Sequence, residues 1–250
     1  MPCAKCSAAP MVRRAAMFER AHHRSIARVL AALDGGLLGE PNCLFGGGTA
    51  MALRFGEYRE SVDMDFLVSD IASYRRLRQL LTGEVGFAGL LRADGEKFRL
   101  GREVRADQYG IRTMLLVDEQ PIKFEIVLEG RIELEKAAEM DRVCGIATLT
   151  PLDMATSKLL ANSDRWSDDG VFSRDVIDLA MMSPPLPLLR QALCKAEGAY
   201  GEAIARDLER AIDRLHSRAD WLERCMQAMA MSLPKAVLWS KIRALRRVFG

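Results

Sequence analysis

Two aspartates, Asp63 and Asp65, occupy alternate positions at the start of an apolar segment that continues to Val68. Because strand side chains alternate between two faces, both carboxylates project to one side while Met64 and Phe66 pack on the other. Two neighbouring carboxylates repel one another, and a divalent cation between them relieves the repulsion. The pattern indicates a metal-binding pair, although alternating acids on a solvated edge strand would look the same.

A third acid, Glu125, lies in a later apolar segment whose core-facing positions are Ile122, Phe124, Ile126 and Leu128. Alternation turns Glu125 to the opposite face. If this strand lies beside the one that carries Asp63 and Asp65, three carboxylates converge. Such a trio can hold two Mg²⁺ ions, one with a triphosphate and one that activates an attacking hydroxyl. The other interpretation makes Glu125 a surface partner of Lys123 or Arg112.

A glycine cluster at 46–48, followed by Thr49, separates a short apolar stretch at 43–45 from a helical segment at 50–53. Glycines in such a turn let the backbone approach an anion closely, and the free amides at the start of the helix point toward it. Gly47, Gly48 and Thr49 are therefore candidates for cradling a triphosphate. An ordinary turn is the alternative, and the cluster matches neither the P-loop nor the Rossmann pattern.

The glycine cluster and the segment Arg59-x-Ser61-x-Asp63-x-Asp65-Phe66 together resemble the signature of the AbiEii/AbiGii-type nucleotidyltransferase toxins. These toxins belong to the DNA polymerase β-like nucleotidyltransferase superfamily. The superfamily pattern has a glycine turn that opens a helix, an Asp-x-Asp on the next strand and a single acid on a later strand. All three parts occur here in order, and the resemblance spans about residues 43 to 182.

The resemblance includes two helical motifs after the sheet, one around Lys158 and one at 174–179 with the sequence Arg-Asp-x-x-Asp-Leu. In the family both border the nucleotide site. A lysine at position 158 can reach a phosphate as a point charge. It can equally form an ion pair with Asp153 or Asp164 on a solvent-exposed surface. Residues 185–250 carry no motif that can be assigned.

The three polar residues of the second helical motif have alternatives of their own. Arg174 and Asp178 are four residues apart and can form a pair on the helix surface. Asp175 points elsewhere, where it can orient Lys158 or contact the incoming nucleotide. Plain ion pairing on the helix surface, which contributes little to stability, is the competing interpretation.

The resemblance implies a Mg²⁺-dependent nucleotidyltransferase that moves a nucleoside monophosphate from a nucleoside triphosphate (NTP) to an RNA, specifically the 3′ end of tRNA. It also implies a toxin of a type IV-like pair, with a cognate antitoxin protein as partner. The implied catalytic residues are Asp63, Asp65, Glu125 and Lys158, and the first three are also the metal ligands. The implied nucleotide-binding residues are Gly47, Gly48, Thr49, Arg59, Ser61, Asp175 and Asp178. A protein or antibiotic hydroxyl as acceptor, and a non-catalytic nucleotide-binding module, remain alternatives.

Several elements must position these residues. Periodicity predicts a helix at 11–33, a strand at 64–68 and a helix at 71–81. Two further strands, 111–118 and 121–128, are joined by a turn and form a hairpin. From Thr150 onward only helices are predicted, with a break at the prolines of 183–187. The fold class is α+β: a nucleotidyltransferase-like mixed sheet flanked by helices (residues 1–147), then a helical domain (residues 148–250).

Composition narrows the class of protein further. The chain has 250 residues, of which 49% are hydrophobic and 28% charged, and this excludes wholesale disorder. It has no apolar run long enough to span a membrane and no secretory signal, so we expect a cytoplasmic protein without membrane contact. Cys3 and Cys6 alone have metal-like spacing, which supplies half of a tetrahedral site. The net charge of +2 is too small to indicate what kind of molecule the protein binds. After Glu223 the chain has basic but no acidic residues, and this basic tail could bind a phosphate backbone or form a solvated helix face.

Overall fold

The computed structural model describes residues 18–250 and contains a five-stranded mixed sheet against which helices pack. The strands of this sheet are β1 (Leu44–Gly46), β2 (Met64–Val68), β3 (Arg99–Ala106), β4 (Gly110–Val117) and β5 (Gln120–Leu128). A small ribbon follows, made of β6 (Arg142–Val143) and β7 (Ile146–Ala147). The predicted fold class, a mixed sheet with flanking helices followed by a helical region, is confirmed.

The sheet order β1-β2-β5-β4-β3 places the two acid-bearing strands side by side at its centre. Strands β2 and β5 are parallel, and each of the other neighbouring pairs is antiparallel. Because β2 has a hydrogen-bonded neighbour on both sides, the interpretation of Asp63 and Asp65 as acids on an edge strand is wrong.

Aromatic packing holds these central strands in register from the face opposite the acids. The rings of Phe45, Phe66 and Phe124 lie in a row, with centroid separations of 5.4 and 5.2 Å, and Phe87 meets Phe124 edge-on at 5.1 Å. All four side chains are buried. Since residues alternate along each strand, burying these rings on one face turns Asp65 and Glu125 to the other.

Four helices accompany the sheet in the first half of the described chain. They are α1 (Ala21–Ala32), α2 (Gly35–Gly39), α3 (Gly47–Arg54) and α4 (Ile71–Thr82), and a 3₁₀ helix spans Gly86–Leu90. The apolar stripe of α1 is buried as its periodicity predicted. Helix α3 begins directly at the glycine cluster, so its N-terminus faces the same side of β2 as Asp65.

The second half is helical, as predicted. It consists of α5 (Pro151–Arg165), α6 (Arg174–Met182), α7 (Leu186–Tyr200), α8 (Ala203–Ser217), α9 (Trp221–Ala228) and α10 (Lys235–Ala244), with 3₁₀ turns at Asp169–Val171 and Leu245–Val248. Helix α5 starts with Pro151, and the Thr150 side chain accepts a hydrogen bond from the Asp153 N–H. The prolines at 184 and 185 separate α6 from α7.

Some sequence predictions differ from the structure or lie outside it. Strand β3 was not predicted, because it is a mostly exposed polar edge strand with two irregularities in its register. The helical spacing of Leu238, Ile242, Leu245 and Phe249 predicts one apolar stripe near the C-terminus, but Phe249 is 39% exposed. The chain enters a 3₁₀ turn at Leu245, and its three-residue period buries Val248 instead. Residues 11–17 of the predicted first helix, and the Cys3–Cys6 pair, lie outside the described residues.

The helical region packs directly on the sheet region through one continuous apolar core. The boundary at 147/148 between two domains stays a prediction.

In the basic tail, Lys235 and Arg246 form ion pairs with Glu223 and Asp213, as expected for a solvated helix face. Within residues 18–250, no helix combines the length and the apolar character needed to cross a bilayer.

Candidate active site

The two central parallel strands bring the predicted carboxylates into one cavity. Asp65 on β2 lies opposite Glu125 on β5 in the sheet register, and Asp63 comes just before β2. The cavity has a volume of about 310 Å³ and is lined by all three acids together with Gly47 and Gly48. The structure thus places the acids and the glycine turn around a common space.

Burial and neighbouring charges both act on the carboxylate of Asp65. Burial raises the pKa of Asp65, and the negative charges of Asp63 and Glu125 raise it further. Lys123 and Lys158 oppose this shift. Any additional positive charge that enters the cavity would therefore stabilise the ionised form of the Asp65 side chain.

Glu125 lies in the cavity, yet it also makes the contacts of the competing interpretation. Its Oε1 accepts a hydrogen bond from Arg112 Nε at 2.5 Å, and its Oε2 lies 2.6 Å from Lys123 Nζ. The side chain is buried, so it is not the surface residue which that interpretation required. Lys123 places a positive charge among the carboxylates. Burial lowers the pKa of its ammonium group, but Glu125, Asp65 and Asp63 together raise it above its ordinary value.

The glycine turn lies close against both Asp65 and Arg59. Gly47 has φ +65°, in the left-handed region, and a Cβ added there would overlap the Asp65 carboxylate. A Cβ added at Gly48 would overlap the guanidinium of Arg59. A side chain at either position would displace a charged group that lines the cavity, and at Gly47 the backbone conformation also favours glycine.

Thr49 and Ser61 fix the segment that precedes Asp63. The Thr49 hydroxyl lies 2.8 Å from the Ser61 hydroxyl and 2.5 Å from the Asp63 carbonyl oxygen. Ser61 lines the cavity, whereas the Thr49 side chain is buried behind it. The Thr49 hydroxyl thus holds the chain segment that leads to Asp63, and the participation of Thr49 in cradling a triphosphate stays a prediction.

Asp178 is the centre of a buried network of charges. Its Oδ1 accepts hydrogen bonds from Arg59 Nε at 2.6 Å and from the Tyr58 hydroxyl at 2.7 Å. Its Oδ2 accepts from Arg59 Nη2 at 2.9 Å and lies 2.6 Å from Lys158 Nζ. Burial opposes ionisation, but Arg59 and Lys158 hold the pKa of Asp178 well below its ordinary value.

Asp175, one turn earlier on α6, extends the same network toward the cavity. Its carboxylate pairs with Lys158 Nζ at 3.0 Å and with Arg165 Nε at 2.7 Å. Burial opposes ionisation, while these two cations lower the pKa of Asp175. The expectation that Asp175 orients Lys158 agrees with this geometry.

These pairings overturn three expectations from the sequence. Lys158 is 6% exposed and pairs with neither surface candidate, since Asp153 binds Lys195 and Asp164 binds Arg131. Asp178 pairs with Arg59 and Lys158 rather than with Arg174, which lines the cavity. Asp178 is also fully buried and does not line the cavity, so the structure gives it no surface for the direct nucleotide contact that was expected.

The acids suit a divalent cation that shares its ligands with a substrate. No three carboxylate, histidine or cysteine groups within residues 18–250 are placed to enclose a metal ion by themselves. Mg²⁺ in enzyme sites commonly takes one or two carboxylates together with water and phosphate oxygens. The oxygen donors of Asp63 and Asp65, with the raised pKa of Asp65, fit that arrangement.

The far end of the cavity has a different character. Two residues after Asp65 and Glu125, Leu67 and Val127 lie side by side on the neighbouring strands. They form an apolar patch on the sheet surface that lines the cavity. Just after the end of β5, buried Glu129 pairs with Arg131 at 2.7 Å. The cavity thus has an acidic end beside the glycine turn and an apolar floor that leads away from it.

Sequence reasoning missed several residues that line the cavity or support the side chains that line it. Lys123 shares the face of Glu125 because it lies two positions away on the same strand, so alternation could have found it. Arg165 lies seven residues after Lys158, two helical turns along the same face, and could also have been found. Tyr58 and the Glu129–Arg131 pair depend on tertiary contacts that no local spacing reveals.

A family model described as "Nucleotidyl transferase AbiEii toxin, Type IV TA system" matches residues 28–246. This match covers most of the chain. The chain belongs to the AbiEii family. It is therefore a nucleotidyltransferase of a toxin–antitoxin family, and the resemblance drawn from the glycine turn and the Asp-x-Asp segment is confirmed. Membership also implies an antitoxin partner and a nucleoside triphosphate substrate.

Two solved structures from Helicobacter pylori are similar to this AbiEii chain. One is described provisionally as a nucleotidyltransferase; it has 16% identity and a TM-score of 0.47, and the match covers 91% of this chain and 95% of that one. The other, JHP933, has 15% identity and a TM-score of 0.47, with coverage of 91% and 92%. At this level neither likeness identifies a function. No curated protein matches the chain significantly.

Proposed function

We propose that this AbiEii protein is a Mg²⁺-dependent enzyme that transfers a nucleoside monophosphate from an NTP to the 3′ end of an RNA, with tRNA as the first candidate. The observation that carries the proposal is the placement of Asp63, Asp65 and Glu125 around the same cavity as the glycine turn. The RNA acceptor and the action as a toxin on RNA rest on the family alone.

In this proposal the acidic end of the cavity binds the triphosphate. Asp63 and Asp65 would hold the metal, and Glu125 would either assist them or take up the proton of the acceptor hydroxyl. The backbone at Gly47 and Gly48, at the start of α3, faces the phosphates, where the free amides of a helix N-terminus favour anions. When bound, Mg²⁺ supplies charge neutralisation on the phosphate oxygens and lowers the pKa of a coordinated hydroxyl.

Transfer requires an oxygen of the acceptor to attack the α-phosphorus as the bond to the β-phosphate breaks and pyrophosphate leaves. The proton of the acceptor hydroxyl passes to a carboxylate, for which Glu125 is the candidate. Lys158 stabilises the charge that develops on the leaving pyrophosphate, and Asp175 and Asp178 fix its ammonium group. Arg59 and Ser61 line the same cavity as the acids, and in this proposal they contact the phosphates.

The proposal is tested by incubating the protein with Mg²⁺, total tRNA and each of the four NTPs labelled at the α-phosphate. We expect label on tRNA with at least one NTP, and no label when EDTA replaces Mg²⁺. Label on a protein or a small hydroxyl compound instead would move the acceptor to that class. Mg²⁺-dependent nucleotide binding in calorimetry without pyrophosphate release would identify a non-catalytic module and refute the proposed activity.

A further inference from the structure

A histidine outside the cavity contacts the segment that carries its first acid. His23 of α1 is fully buried, and its Nε2 lies 3.2 Å from the backbone nitrogen of Ser61. Because that nitrogen carries a proton, Nε2 must be the acceptor, and the ring proton lies on Nδ1. Nδ1 then donates to Glu57 Oε1 at 2.7 Å. The ring therefore bridges two points of the loop between α3 and β2.

Glu57 is held firmly enough to orient the ring. Its Oε2 accepts a hydrogen bond from the Glu19 N–H at 2.8 Å, and its Oε1 also accepts from the Arg20 N–H at 3.2 Å. Although burial opposes it, these bonds and that from His23 keep the pKa of Glu57 below its ordinary value. Glu57 therefore stays an anion, accepts the hydrogen bond from Nδ1–H and fixes the tautomer of His23.

The same chain segment is tied down at neighbouring points. His22 Nε2 lies 3.0 Å from the Val62 carbonyl oxygen, and Arg20 Nη1 lies 2.9 Å from Glu60 Oε2. From the other side, the hydroxyl of Thr49 contacts the Asp63 carbonyl oxygen. The segment that leads to Asp63 is thus held between the N-terminal part of α1 and helix α3.

We propose that His23 is a positioning residue: through its hydrogen bond with the Ser61 N–H, it sets where Ser61 and Asp63 stand in the cavity. The inference rests on the proposed function, since it gives the site of transfer a support that touches neither nucleotide nor metal. Loss of groups that orient metal ligands typically lowers metal affinity or activity 10–100-fold. Small displacements of reacting groups have effects of that size.

The test compares His23→Ala, His23→Gln and His216→Ala, all assayed at a temperature where each is fully folded. Glutamine keeps a hydrogen-bond acceptor for the Ser61 N–H, whereas alanine removes it. His216 stacks on Trp239, does not line the cavity and supplies the matched control. The readouts are kcat, the KM for NTP, the Mg²⁺ concentration for half-maximal rate, and hydrogen exchange of the Ser61 amide.

For His23→Ala we expect kcat to fall about 10–100-fold and the Mg²⁺ requirement to rise. The KM for NTP should change much less than kcat, and exchange of the Ser61 amide should accelerate. His23→Gln should recover most of the lost rate, and His216→Ala should retain it. A folded His23→Ala protein with wild-type kcat and wild-type Ser61 exchange would overturn the proposal, as would failure of glutamine to restore either.

A failure of the proposed function gives a different result. The wild-type protein would then transfer no nucleotide, while exchange of the Ser61 amide and Mn²⁺ binding would still report on how the segment that leads to Asp63 is held. Faster exchange and weaker Mn²⁺ binding in His23→Ala, both restored by glutamine, would support the positioning role. Unchanged exchange and Mn²⁺ binding would refute it regardless of the reaction.

Discussion

Replacing Asp65 with asparagine is expected to lower the rate of nucleotide transfer by a factor of about 10³ or more, which corresponds to roughly 4 kcal/mol of transition-state stabilisation. The substitution keeps the shape of the side chain and removes the charge at the centre of the carboxylate trio. The rate should be measured with saturating NTP and Mg²⁺. Asp94→Asn, at an exposed residue that does not line the cavity, is the control and should keep the wild-type rate.

The same Asp65→Asn protein should be at least as stable as the wild type. A carboxyl whose folded pKa is raised contributes stability below the unfolded value of about 3.9, and that contribution is lost as pH rises through the folded pKa. A neutral amide therefore removes a penalty at pH 7, and the difference should vanish below about pH 4. Thermal unfolding at several pH values measures this. A clear loss of stability at pH 7 would mean that Asp65 supports the fold, not the chemistry.

Asp178→Asn should have the largest effect on stability. The change leaves the buried cations of Arg59 and Lys158 without their shared anion, and breaking a buried ion pair in this way costs about 3–5 kcal/mol. For a chain of this size the melting temperature should fall by about 10 °C or more. Denaturant and thermal unfolding measure the loss.

Asp213→Asn, which breaks an exposed pair with Arg246, is the matched control and should change stability by less than about 1 kcal/mol. The pH dependence gives a second check on Asp178. Its folded pKa is lowered, so its contribution is complete above the unfolded value of about 3.9 and declines as pH falls below it. The gap between wild type and Asp178→Asn should therefore be constant from pH 5 to 8. A gap that widens in acid would contradict the assignment.

The strands and the carboxylates were predictable from the sequence for one reason. Around Asp65 in β2, and from Ile122 to Ile126 in β5, apolar residues alternate with polar ones, and this local alternation is enough to determine which face of the sheet Asp65 and Glu125 occupy. The glycines at 47 and 48 carried a local signal as well, because close backbone approach requires the absence of a side chain.

The remaining features depended on contacts between distant parts of the chain. Strand β3 lacks alternation because most of it is exposed on both faces. The role of Asp178 was misjudged because its partner Arg59 is 119 residues away in sequence, and helical spacing suggested Arg174 instead. The contact between His23 and Ser61 gives no local pattern at all, since it joins a helix to a loop.

The central claim, that the acidic end of the cavity binds a metal-bound triphosphate, is tested most directly by locating both ligands. Crystals grown with Mn²⁺ and a non-hydrolysable NTP analogue should give an anomalous peak at the carboxylates of Asp63 and Asp65. The triphosphate should lie between that peak and the backbone of Gly47 and Gly48. Manganese bound elsewhere, or a nucleotide outside this cavity while Asp63 and Asp65 keep only their present neighbours, would contradict the account.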